Sequence, residues 1–225
     1  MAKFIIRIKG GSGSGNFQHE GREGEVGGSA PKSGRMVSGR IGRRTGETSD
    51  TKISVNYRSI DSENPSKVYR NVMKYLPKSG SGVKGFSEEV PSRYAEGWGE
   101  GISGYYDPNT QIVYVSKKAM DMEHMVLHEI GHGVVINGKS VFHDKANPGY
   151  ALEKLEKEYK KYGSSRAFSD IQLKKNYGLD HRALSNPSEL AAESFVVWMR
   201  GASYQRKNLL SLYELKDDEL LFNVE

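Results

Sequence analysis

Residues 128–132 read His-Glu-Ile-Gly-His. On an α-helix positions i and i+4 share a face, so His128 and His132 can present both imidazoles to one metal ion. Glu129 stands beside that face, where its carboxylate can take a proton from an attacking water. This is the two-histidine half of a zinc site for amide hydrolysis, with glutamate as general base. The flanking Met122, Met125, Val126, Ile130 and Val134 recur at helical spacing, which places the motif on a helix. Gly131 keeps that helix narrow where another element or a substrate approaches.

Zinc needs a third protein ligand and one open position. A histidine six residues beyond His132, with glycine at the third, is one way to supply it. Those positions hold Gly138 and Val135, so that pattern fails, and His143 lies further on in a polar stretch. The segment Asn186-Pro-Ser-Glu-Leu-Ala-Ala-Glu-Ser-Phe195 offers carboxylates instead: Glu189 and Glu193, four apart on one helical face. The small residues Ala191, Ala192 and Ser194 allow close packing against the first helix. Leu190, Phe195, Val196, Val197 and Trp198 mark the segment as mostly buried, and buried carboxylates need partners.

The elements that must position these groups begin after residue 50. Twelve of the 26 glycines lie in residues 1–50, with only two of the 22 aromatics, Phe4 and Phe17. Nine basic and five acidic residues there give +4 of the chain's +5 net charge. So little apolar area cannot offset the entropy of ordering glycine, so residues 1–50 are expected to be a flexible basic tail. Within it, residues 3–8 have the pattern of a short strand. Residues 51–225 are expected to form one α+β domain: a small mixed or antiparallel sheet on the His-Glu helix, then a mainly helical C-terminal half.

The local signals are as follows. Ile53 and Val55 alternate with polar neighbours, as in a strand. Asp61-Ser62 precede a helical pattern with Val68, Val72, Tyr75 and Leu76 on one face. Residues 78–100 read as loop. Two strands within 104–115 join at Asp107-Pro-Asn-Thr110. Ser116 is a candidate cap for a helix reaching Val135. Further helices are expected over 149–162, near 168–176 and over 187–200, the last with Asn186 as cap, Pro187 first and Gly201 just beyond. One or two short helices complete 204–222.

Several function classes are excluded. Without cysteine there is no disulfide scaffold, thiolate metal site or cysteine nucleophile. No apolar run approaches the ~18 residues of a membrane span, and Phe4-Ile5-Ile6 is far shorter than a signal-peptide core. A soluble chain with no membrane partner is therefore expected. The pI of about 9.1 permits nucleic-acid contact. Arg35, Arg40, Arg43 and Arg44 have no aromatic among them, however, so no stacking platform is expected.

Two resemblances bear on function. His-Glu-Ile-Gly-His with Asn-Pro-x-Glu-x-x-Ala-Glu-x-Phe resembles the gluzincins, zinc peptidases whose third ligand is glutamate. The likeness covers roughly residues 100–200 and is nearest to anthrax lethal factor-like and phage-associated peptidase domains. It implies a zincin-like fold, Zn2+ on His128, His132 and Glu189, and Glu193 behind them, bonded to a ligand histidine. Such peptidases carry a tyrosine seven residues before the ligand glutamate to stabilise the oxyanion. Arg182 stands there, so the donor falls to Arg182, its neighbour His181, or Tyr177. Separately, Gly10 to His19 with Gly21-Arg22 and Gly24 to Ser29 resembles a glycine-rich segment beside portal, minor head and protease domains of tailed phages. That likeness implies phage or prophage origin, head or portal proteins as partners of the tail, and a place in the host bacterial cytoplasm or the virion.

The expected activity is hydrolysis of a protein or peptide substrate, with Glu129 as base. Strand Ile112–Val115 is expected at the sheet edge, where an extended substrate adds as a further strand. The alternative is a catalytically silent structural or interaction protein of the phage particle with the same fold.

Overall fold

The computed structural model describes residues 54–89, 91, 103–117, 119, 121–161 and 166–224. The chain divides into two units, Met1–Asp50 and Thr51–Glu225, and every described residue belongs to the second. The tail, its expected strand at 3–8 and Ile53 lie outside the described residues.

Helix α1 spans Pro65–Val72. It starts later than Asp61-Ser62 suggest because Asn64-Pro65 is the better start. Asn64 accepts a hydrogen bond from the Lys67 amide (3.0 Å), and Pro65 needs no amide partner in the first turn. Val68 and Val72 are fully buried, while Tyr75 and Leu76 lie past the helix end. No strand forms at Val55. Residues 57–60 are instead tied to a buried carboxylate, Glu123. That group accepts from the Tyr57 hydroxyl, the Ser59 hydroxyl and the Ile60 amide, and pairs with Arg200 (3.3 Å).

The sheet is mixed, with order β1-β3-β2. Strand β1, Gly85–Ser87, lies within the stretch expected to be loop. Three residues are too few to show alternation. Its Phe86 stacks on Tyr69 of α1 (4.9 Å), and its backbone pairs in parallel with β3. Strands β2, Gly104–Asp107, and β3, Ile112–Val115, form the expected antiparallel hairpin. The expectation that Ile112–Val115 is an edge is incorrect. β3 is flanked on both sides, and the edges among the described residues are β1 and β2.

Helix α2, Met122–Asn137, carries the His-Glu motif. Its cap is Asp121, which accepts from the His124 amide (2.9 Å), and not Ser116. The Ser116 amide bonds to the Ser103 carbonyl (2.9 Å), prolonging the hairpin, and the helix starts only after Asp121.

Helices α3, Pro148–Lys160, and α4, Arg166–Tyr177, precede a 3-10 turn at His181–Leu184. Helix α5 spans Pro187–Arg200, and the Asn186 side chain accepts from both the Ser188 and Glu189 amides (2.9 and 3.0 Å). Helix α6, Ser203–Leu212, is the single helix of the last stretch. Beyond it, turns bring Phe222 onto Phe195, Trp198 and Phe142. Phe195, Trp198 and Phe222 are fully buried, and burial of each is worth roughly 2–3 kcal/mol. Among the described residues no helix is long and apolar enough to cross a membrane.

The α2–α5 contact positions the site. A Cβ on Gly131 would lie 2.9 Å from the Ala192 carbonyl oxygen and 3.1 Å from the Phe195 Cβ. The two backbones therefore nearly touch, and short side chains can converge between them.

Candidate metal centre

One turn apart on α2, His128 and His132 point at the start of α5. Their Nε2 atoms are 3.1 Å apart. Glu189, in the first turn of α5, places Oε2 at 3.2 Å from His128 Nε2 and Oε1 at 3.4 Å from His132 Nε2. All three residues are buried. Their ligand atoms form one candidate metal-holding group.

Each histidine is fixed from behind. His128 Nδ1 lies 2.8 Å from Glu193 Oε1, one turn after Glu189. A carboxylate only accepts, so Nδ1 carries the proton that this bond needs. His132 Nδ1 lies 3.0 Å from the Ser188 hydroxyl. Nδ1 of both rings is thus turned away from the cluster, and each Nε2 is the atom that faces Glu189.

The donor set fits zinc. Two imidazole nitrogens and one carboxylate are a zinc ligand set, and tetrahedral bonds of about 2.0–2.1 Å put neighbouring donors about 3.3–3.4 Å apart. The observed separations of 3.1, 3.2 and 3.4 Å are close to that.

The imidazoles and carboxylates of the cluster stabilise one another's charged forms. Burial disfavours a positive His128, but Glu189 and Glu193 outweigh it and push the imidazole up to about 10. Burial also opposes charge on the two carboxylates. His128 and His132 nonetheless hold Glu189 well below the usual carboxylate range, and His124 and His128 bring Glu193 down to about 2. Glu129 behaves differently. It is buried and bonded to none of these imidazoles, and burial raises its pKa against the charges of His128, His132 and Arg182. A carboxyl lifted this way is a better proton acceptor than an ordinary one.

Glu129 borders the sheet at Gly104. A Cβ there would lie 2.7 Å from Glu129 Oε1, 2.8 Å from its Cγ and 2.9 Å from Met125 Sδ. Gly104→Ala should therefore displace the carboxylate and spare the ligands. If the cluster holds a metal and Glu129 serves as general base, metal content should equal wild type while turnover falls by roughly 100-fold, a loss that a misplacement of about 1 Å can cause. Metal analysis beside steady-state kinetics checks this, and loss of metal would show that Gly104 supports the whole helix.

The oxyanion candidates separate in space. Arg182, half-buried on the 3-10 turn, acts on Glu129 through its charge. His181 beside it is exposed. Tyr177 donates its hydroxyl to Glu158 of α3 (2.6 Å), so that group is engaged between α3 and α4. His143 sits with Asp144 and Glu219 (3.6 and 4.0 Å), in neither candidate metal group. Two residues escaped the sequence reading. Ser188 carries no sequence signal for its role. His124 does: it stands four residues before His128, on the same helical stripe.

Comparison with protein families, curated proteins and solved structures returns no match.

Proposed function

We propose that this chain is a zinc-dependent endopeptidase of the gluzincin type, with a zincin-like fold, encoded by a phage or prophage. The observation that supports it best is the convergence of His128 Nε2, His132 Nε2 and the Glu189 carboxylate, with the unengaged carboxylate of Glu129 next to it in sequence. A purely structural metal site has no use for that fourth group.

His128, His132 and Glu189 would hold a zinc ion, which when bound would supply Lewis acidity and lower the pKa of water from ~15.7 towards ~7. The remaining work falls to the chain. Glu129 accepts the proton of the attacking water on its carboxylate and returns it to the leaving amine. Glu193 and Ser188 keep the two imidazoles turned. Arg182, whose charge reaches Glu129, is assigned as donor to the developing oxyanion. Among the described residues β2 is an edge strand, and its Gly104 borders Glu129, so an extended peptide adding to it would pass the base. The phage assignment, and head or portal proteins as partners, rest on the glycine-rich segment within residues 10–29.

Cleavage profiling of host and phage lysates by mass spectrometry tests the reading. Products should appear with wild-type protein and vanish with a zinc chelator and with Glu129→Gln. A zinc-loaded protein that cleaves nothing in either lysate would favour a silent structural protein.

A further inference from the structure

We propose that His124 is a positioning residue of the metal centre, holding the Glu193 carboxylate that orients His128. The proposal rests on reading the His128, His132 and Glu189 cluster as a zinc site.

His124, His128 and His132 form one stripe of α2. The backbone amide of His124 is spent on the Asp121 cap, and its ring turns toward α5. There His124 Nε2 lies 3.0 Å from Glu193 Oε1, the oxygen that His128 Nδ1 approaches at 2.8 Å. The two rings are stacked, with centroids 6.2 Å apart and planes 16° from parallel. Since the carboxylate can only accept, both ring nitrogens donate to it.

Glu193 is 1% exposed, so water has little access to replace a lost donor. Its orientation then depends on the two imidazoles that hold it, and His128 cannot serve as its own reference. His124 is the independent hold. Its side chain is 25% exposed and contributes no atom to the His128, His132 and Glu189 cluster. The arrangement is a chain in which an outer histidine fixes a buried carboxylate, and the carboxylate fixes a ligand.

His124, His128 and Glu193 also group as three donor residues. The nitrogen–oxygen separations of 2.8 and 3.0 Å are ordinary direct hydrogen bonds, however, and they use the Nδ1 proton that leaves His128 Nε2 free for the first site. The geometry therefore favours a hydrogen-bonded relay over a second metal.

The experiment measures zinc affinity of the full chain by chelator competition. His124→Ala should bind zinc roughly tenfold more weakly, the scale expected when support behind a ligand is lost. His124→Gln, whose amide can donate to the same oxygen, should recover most of that. Adding His124→Ala to Glu193→Ala should weaken binding no further than Glu193→Ala alone, because His124 acts only through that carboxylate. Unchanged affinity in His124→Ala, additive losses in the double variant, or a second equivalent of zinc that disappears with His124 would each overturn the proposal.

Wild type that binds no zinc would overturn the underlying metal reading. The role of His124 is then read separately by NMR of the metal-free protein. The Nδ1 proton of His128 should exchange slowly in wild type and rapidly in His124→Ala, and equal exchange would refute the relay whatever the zinc result.

Discussion

Glu129→Gln is expected to keep its zinc and to lose hydrolysis by about a thousandfold. The magnitude is that of a positioned general base, typically 10²–10⁴. The substitution retains shape and removes only the proton acceptor. It leaves His128, His132 and Glu189 untouched, along with the Glu193 and Ser188 contacts that orient the imidazoles. Folding should not suffer. Burial raises the Glu129 pKa, so the ionised form is disfavoured in the folded state, and stability is lost as the pH climbs from the ordinary carboxylate value to the raised one, the cost being complete above it. A neutral amide avoids the cost. Thermal unfolding of the metal-free variant at neutral pH should therefore occur at or above the metal-free wild-type temperature. Cleavage at the wild-type rate, with zinc present, would show that another group takes the proton.

Much of this site is legible locally. The His128/His132 and Glu189/Glu193 spacings each place two side chains on one helical face. The limits of α5 follow from Asn186-Pro187 at one end and Gly201 at the other. What the sequence hides is non-local. Glu123 gathers Tyr57, Ser59 and Ile60 from more than sixty residues away, and no neighbouring residue announces that role. Strand β1 exists because β3 and Tyr69 are present to receive it, not because three residues prefer to be extended. Ser116 makes a plausible cap in sequence, but it closes the hairpin through Ser103, and Asp121, nearer the motif, caps the helix.

The second large effect separates the two glutamates of α5. Glu189→Ala removes a carboxylate whose two oxygens face both Nε2 atoms, and zinc binding should be lost under conditions that saturate wild type. Glu193→Ala removes only the group behind His128, and affinity should fall by roughly 10- to 100-fold. The contrast is readable without any substrate. Zinc at about 1,000 times its Kd should stabilise wild type by about 4 kcal/mol, which for a domain of this size raises Tm by roughly 10 °C. Glu189→Ala should show almost none of that rise, and Glu193→Ala a reduced one that more zinc restores. The reverse ranking would make Glu193 the ligand and Glu189 its support.

Anomalous diffraction at the zinc edge from crystals of the zinc-loaded protein puts the assignment to the test. One peak per chain is expected, at about 2.0–2.2 Å from His128 Nε2, His132 Nε2 and a Glu189 oxygen. A peak centred elsewhere, or none at full zinc saturation, would contradict it.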